Sequence, residues 1–323
     1  MRGAGAGVEV GRRLHNNRGV EYPDDWMRFE PPTGLRPLVW RYLRGGVNFI
    51  GAMGIAGVTL GHARFAAPFQ VRYPELDLPL RDLPAAFEGF RIVQLSDLHA
   101  VRSTPLGYIR EIVDHVNELK CDVACVTGDL ISSRVEHVRP TCEVLARLRM
   151  PVYVTFGNHD YSYSGDAWVS GEVADALEAE LRKAPNVTVL RNRAVSIERS
   201  AGRVWVVGLE DFWSMKFKPE EAFAGVGGDG PVIALSHNPD TVYALARHRP
   251  QWVLAGHTHA GQINVPVAGG LVLPMRHKQF VHGEFRVGET RMYVTSGIGF
   301  KIKARFRCPP EVPVFTVREE RQG

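Results

Sequence analysis

Cysteine is scarce in this chain, with four residues in 323: Cys121, Cys125, Cys142 and Cys308. No pair has zinc-finger spacing, and Cys121 and Cys125 stand too far apart for a Cys-x-x-Cys redox motif. Cys125 lies inside the apolar run Val123–Val126, where a free thiol behaves as a small buried hydrophobe. All four are therefore read as structural. Lysine is missing from the first 64 residues, which hold nine arginines and five acidic residues. The rest of the chain carries 30 basic and 30 acidic residues, so the net charge of +4 belongs to the leader. A nucleic-acid-binding body shows a basic face, and this neutral one argues against that class. Internal repeats are also lacking, and the uncharged apolar run 45–61 is slightly short of the ~20 residues that a spanning helix needs.

The chain divides by composition. Residues 1–33 sustain no apolar period, start Gly/Ala-rich and contain Pro31-Pro32, which predicts a disordered leader. The pair Arg12-Arg13 resembles a twin-arginine signal, but the apolar stretch begins only after Arg44, too late for that reading. Residues 34–64 are expected to form an apolar helix around the uncharged stretch 45–61, either a membrane anchor or a helix lying on the body. Arginines crowd its N-terminal side, so a spanning helix would leave the N-terminus cytoplasmic and the body outside. Residues 65–88 hold Pro68, Pro74, Pro79 and Pro84 and read as a Pro-rich linker. A domain over 89–318 and a short tail, 319–323, follow.

Within that domain, apolar runs of strand length (Arg91–Leu95, Asp122–Val126, Val152–Phe156) alternate with helical patterns at Pro105–Leu119, Val138–Leu148 and Gly171–Lys183. The second half is strand-rich, with one helix near Asp240–Ala246. This order predicts an α/β fold of layered sheets with helices outside.

Polar clusters stand at the ends of successive apolar runs. They are Asp97-Leu98-His99, Gly128-Asp129, Gly157-Asn158-His159-Asp160, Ser236-His237-Asn238 and Gly256-His257-Thr258-His259, with Asp211 as a weaker sixth. Side chains at i and i+2 of a strand share a face, so Asp97 can meet His99, and His257 can meet His259. A carboxylate such as Asp129 can bridge two cations. Asn158 offers a neutral oxygen. His159, next to Asn158, should point elsewhere and is suited to protonate a leaving oxygen, with Asp160 orienting its imidazole. Open α/β sheets place sites at the carboxyl ends of strands. Donors that are all N or O, with no thiolate, suit Mn, Fe, Zn or Ni. His15, His115, His137 and His248 lie in the tail or at helical positions and are read as ordinary.

The ordered pattern Asp-x-His, Gly-Asp, Gly-Asn-His-Asp, His and Gly-His-x-His resembles the calcineurin-like metallophosphoesterases, over about residues 90–318. Ser236–Asp240, Gly256–Gln262 and Arg305–Glu311 are similar to a bacterial membrane-associated phosphodiesterase subgroup. That subgroup includes UDP-2,3-diacylglucosamine hydrolases of lipid A synthesis and YkuE-like cell-wall-associated phosphoesterases. Ala260 departs from the Gly usual there.

The resemblance implies a two-sheet sandwich flanked by helices and two divalent metal ions. Asp97, His99, Asp129 and His259 would hold the first ion. Asp129, Asn158, His237 and His257 would hold the second. His159 would be the catalytic histidine. The implied reaction is hydrolysis of a phosphodiester or pyrophosphate by water activated at the metal pair. Residues 263–285 mix Val265, Leu271, Val272 and Leu273 with Arg276, His277, Lys278 and His282. This segment reads either as an ordinary hairpin with solvated charges or as a lip that accepts acyl chains and grips phosphate. The lip, together with the apolar leader, favours a membrane-associated protein acting on a lipid-linked phosphate ester. Phe212, Trp213, Met215 and Phe217 offer a further apolar wall. Soluble or cell-wall phosphodiesters are the alternative, and a non-catalytic scaffold is a remote one, since no ligand of the pattern is missing. The sequence names no protein partner.

Overall fold

The computed structural model describes residues 67–100, 104–164, 167–200, 202–265, 269–270, 275–300 and 303–320. The expected leader and apolar helix, 1–64, lie outside the described residues, as does part of the 263–285 segment. Among the described residues no helix is long and apolar enough to cross a membrane.

The first half comprises β1 (Glu75–Leu80), β2 (Arg91–Leu95), α1 (Leu106–Glu118), β3 (Val123–Thr127), α2 (Val138–Leu145) and β4 (Val152–Thr155), then a small ladder of β5 (Ser162–Ser164) and β6 (Ala167–Ser170), α3 (Glu172–Leu181) and β7 (Val187–Val189). The second half comprises β8 (Arg193–Arg199), β9 (Gly202–Gly208), α4 (Pro219–Phe223), β10 (Val232–Leu235), α5 (Val242–Leu245) and β11 (Trp252–Ala255). It continues with a small ladder of β12 (Asn264–Val265) and β13 (Gly269–Gly270), then β14 (Gly283–Val287), β15 (Thr290–Val294) and β16 (Val314–Glu319).

Two six-stranded sheets result, ordered β1-β16-β2-β3-β4-β7 and β14-β15-β11-β10-β9-β8. Their central pairs are parallel. Alternation along the strands sorts side chains between two layers. On β3, Val123 and Cys125 enter the core between the sheets, where Leu235, Trp252 and Phe315 meet them. Ala124 and Val126 face the other way, onto Ile109 and Val113 of α1 and Leu145 of α2. The second sheet turns Ala234 and Val253 outward onto Ala222 of α4 and Val242 of α5. The molecule is thus a sandwich of two sheets with helices on both outer faces. The four cysteines are free and buried, and burial pushes the Cys125 and Cys142 thiols up to about 12.

The stretch expected to be linker, 65–88, contains structure. Glu75–Leu80 is a strand at the edge of the first sheet, parallel to β16, and Leu78, Leu80 and Phe87 are fully buried. Pro79 is compatible with a strand here because an edge strand need not donate from every N–H. The strand β14 and the helix α4 were likewise absent from the sequence reading.

Candidate metal centre

The polar clusters follow six strands in the observed order: Asp97 after β2, Asp129 after β3, Asn158 after β4, Asp211 after β9, His237 after β10 and His257 after β11. Both sheets contribute, and short contacts tie their ends together. The Gln94 side chain donates to Thr127 Oγ1 and to the Ala255 carbonyl, each at 3.0 Å. The His257 backbone N–H donates to both Asp97 oxygens at 3.1 Å.

Six of the seven expected ligands fall into two buried groups: Asp97, His99 and His259 in one, Asp129, His237 and His257 in the other. In the first, His99 Nε2 faces His259 Nε2 at 3.0 Å, and Asp97 Oδ1 lies 3.4 Å from the latter. In the second, His257 Nδ1 faces His237 Nε2 at 3.2 Å, and Asp129 Oδ1 lies 3.3 Å from the latter. Asp129 joins the groups, because its Oδ2 is 3.4 Å from His99 Nε2. Converging ring nitrogens and carboxylate oxygens in a buried space form a donor set suited to divalent cations.

Supporting contacts fix the rings. The Thr127 carbonyl can only accept, so His237 Nδ1, at 2.8 Å, carries the proton and leaves Nε2 aimed into the group. Ser132 Oγ holds His99 Nδ1 at 3.2 Å, and Ser96 Oγ donates to Asp97 Oδ2 at 2.6 Å. The edge of the Trp213 indole meets the His257 ring at 4.6 Å and 89°. Sequence reasoning missed Ser96, Ser132 and the Trp213 contact. Adjacency to Asp97 was a signal for Ser96, while Ser132 carries none.

Asn158 is fully buried, and neither its oxygen nor its nitrogen has a hydrogen-bond partner. Such an orphan is costly without a ligand, so the residues present fit a metal pair. His159 is only half-buried and sets its ring against His99 at 5.0 Å and 77°. Its backbone N–H donates to Asp129 Oδ1 at 2.8 Å. Asp160 accepts from the backbone N–H groups of Gly157 at 2.9 Å and Ile131 at 3.1 Å. One carboxylate oxygen thus closes the Asn158–Asp160 turn on its own start, and the other ties that turn to the loop after β3. The expected orienting role of Asp160 toward the His159 ring gives way to this backbone anchoring. Asp211 stays out of both groups, and its Oδ2 accepts from the N–H groups of Trp213 and Ser214. His277 is held by Asp240 at 3.0 Å and His282 by Glu311 at 2.9 Å, so two of the four basic residues expected at the 263–285 lip have acidic partners.

The pairing of His257 with His259 on one face is corrected: they serve different groups. The pleat argument assumes extended backbone, whereas these residues lie in left-handed turns. Five of the seven expected ligands, Asp97, His99, Asp129, His257 and His259, have φ between 44° and 73°. Strained backbone of this kind gathers at functional sites. Glycine makes room for the turns. A Cβ on Gly128, itself at φ +86°, would stand 2.5 Å from the Gly157 nitrogen.

The groups sit in a strongly negative field. Burial alone would raise Asp129, but the His237, His159 and His99 imidazoles overcome it and hold the carboxyl well below its usual range. Burial opposes the charge on His237, yet Asp129, Asp97 and Asp211 push it up to about 10. Burial and the Asp129 charge push Asp160 up to about 8 and Asp211 up to about 7, each with partial relief from His237 and backbone N–H groups. All three groups hold protons more tightly folded than unfolded, so the stability they contribute is lost as pH rises through the folded values. The melting temperature of chelator-treated protein is expected to fall from about pH 5 to about pH 9. Metal should reverse that trend, since its ligands must shed protons to bind. Calorimetry across pH with and without metal checks this, and a chelated protein that stabilises on alkalinisation would contradict it.

A family model described as calcineurin-like phosphoesterase matches residues 90–261. The chain belongs to the calcineurin-like phosphoesterase family. This phosphoesterase is 28% identical to the "uncharacterized metallophosphoesterase YkuE" of Bacillus subtilis, over 86% of this chain and 96% of that protein. It is 32% identical to the "phosphodiesterase YaeI" of Escherichia coli, over 69% of this chain and 80% of the relative. It is 27% identical to the "UDP-2,3-diacylglucosamine pyrophosphatase LpxG" of Chlamydia trachomatis, over 77% of this chain and 90% of the relative. The phosphoesterase is a metal-dependent hydrolase with two buried His/Asp groups for a dinuclear centre.

Proposed function

We propose that this phosphoesterase cleaves a phosphodiester or pyrophosphate bond in a lipid-linked substrate of the UDP-2,3-diacylglucosamine type, at a membrane surface. The observation that carries the reading is the pair of groups joined by Asp129, with half-buried His159 alongside. When bound, the two ions supply Lewis-acid charge on phosphoryl oxygens and lower the pKa of the attacking water. The chain's own residues do the rest. Asp97, His99 and His259 would hold one ion, Asn158, His237 and His257 would hold the other, and Asp129 would serve both. His159 donates a proton to the departing oxygen. Asp160 pins the turn that presents Asn158 and His159.

Three features favour an amphiphilic substrate. One relative is named a UDP-2,3-diacylglucosamine pyrophosphatase and another a phosphodiesterase. The uncharged stretch 45–61 fits a membrane anchor, with the arginine excess before it favouring a body outside the cytoplasm. Among the described residues the exposed large apolar side chains are Val135 and Met215, on the loops after β3 and β9 that also carry Asp129 and Asp211. Metal-loaded protein is expected to release UMP from detergent-solubilised UDP-2,3-diacylglucosamine. Turnover of aryl phosphodiesters with no UMP released from the lipid would reassign it to soluble or cell-wall diesters.

A further inference from the structure

Arg305 is fully buried, and its side chain meets carbonyls rather than a carboxylate. Its Nη2 donates to the carbonyls of Ser296 at 2.9 Å, Gly297 at 3.0 Å and Gly299 at 2.6 Å. Its Nη1 donates to the Cys308 carbonyl at 3.2 Å. Burying a guanidinium without a counter-charge is expensive, so the arrangement calls for a return.

That return lies on the far side of the gripped loop. Gly299 N–H donates to the Asp97 carbonyl at 2.8 Å and Ile298 N–H to the Ser96 carbonyl at 3.0 Å. Gly297, at φ +67°, packs so close that a Cβ there would stand 2.6 Å from Asp97 Cβ. The loop thus presses on both sides of a ligand whose own φ is +53°. On its other sides Asp97 is held by its N–H bond to the Gly128 carbonyl and by Ser96 Oγ and the His257 N–H on its carboxylate. The 296–299 loop therefore supplies the contacts to the Ser96 and Asp97 carbonyls that nothing else among the described residues makes. Glu311 steadies the same loop from the other end, accepting from the Ser296 N–H at 3.1 Å.

We propose that Arg305 is a positioning residue for the metal centre: it clamps the 296–299 loop onto Asp97 and so forms the first group, Asp97–His99–His259, without touching the second. Arginine alone suits the task. One Nη reaches three carbonyls while the other reaches a fourth, a fork that a lysine ammonium cannot reproduce.

The test counts metal and does not depend on turnover. Wild-type protein, freed of metal and reloaded with Mn²⁺, is expected to bind two ions per chain by titration calorimetry and elemental analysis. Failure of that control would strike the metal-centre reading itself, separately from this one. In Arg305→Lys one of the two ions should keep its affinity, while the ion at Asp97–His99–His259 weakens by about 10- to 100-fold, the usual loss when an outer partner of a ligand is removed. Should Arg305→Lys not fold, Gly297→Ala tests the same clamp from the other side, by forcing a methyl onto Asp97. Millimolar guanidinium added to Arg305→Ala is expected to restore the lost ion. Two ions bound with unchanged affinity in folded Arg305→Lys and Gly297→Ala, or equal weakening of both ions, would overturn the proposal.

Discussion

Replacing Asp129 by asparagine is expected to lower turnover by about 10³-fold or more and to remove both metals together. The magnitude follows from what the ions contribute. Metal assistance is worth several kcal/mol of transition-state charge stabilisation, and each 1.36 kcal/mol is a factor of ten in rate. Asp129 places one oxygen against each group, 3.3 Å from His237 Nε2 and 3.4 Å from His99 Nε2. Asparagine keeps the shape and one oxygen but loses the charge that both cations share. In the metal-free protein it also removes the nearby charge that pushes His237 up to about 10. Elemental analysis of the purified variant gives the stoichiometry and a phosphodiester assay gives the rate. Retention of one tightly bound ion with near-normal turnover would show that Asp129 serves a single site.

His159→Asn should behave in the opposite way, keeping both ions and losing rate by about 10²- to 10⁴-fold, the usual worth of a positioned proton donor. The imidazole stands at the half-open side of an otherwise buried cluster, edge-on to His99 at 5.0 Å, and belongs to neither ligand group. The loss should depend on the leaving group. A p-nitrophenolate or a phosphate monoester departs with little help, so those rates should fall least, while an alkoxide leaving group should fall most. Equal losses on both substrate types, or loss of metal, would move His159 from proton donor to structural support.

The site was more legible in the sequence than the fold around it. Ligands announce themselves because few residue types bind metals and because each stands at the end of an apolar run: Asp97 after Arg91–Leu95, Asp129 after Val123–Thr127. Their division between two ions came from the family resemblance and not from the period of the strands. His257 and His259 are two apart, which in extended chain means one face. Only the left-handed backbone at both positions separates them. The edge strand Glu75–Leu80 was hidden for a related reason. Four prolines between 68 and 84 argue for irregular chain, and the strand's partner lies more than 230 residues away, at Val314–Glu319. Asp160 shows the limit of reasoning by adjacency. A carboxylate next to a histidine suggests a pair, but its oxygens are taken by the backbone of Gly157 and Ile131. Arg305 stands in the Arg305–Glu311 segment that carries part of the family resemblance, but its role was not legible there, since its acceptors are main-chain oxygens that no sequence displays.

That long-range pairing bears on how the body could be cut free for study. Because β1 lines the flank of the C-terminal strand, a protein trimmed to begin at the family match near residue 90 would lack Leu78, Leu80 and Phe87 from the inter-sheet core. It would also bare the main-chain groups of Val314–Glu319 as a sticky seam for a second molecule. Shortening that stops ahead of Phe69 avoids both, so the boundary that matters is set by strand partnership rather than by where recognisable motifs begin.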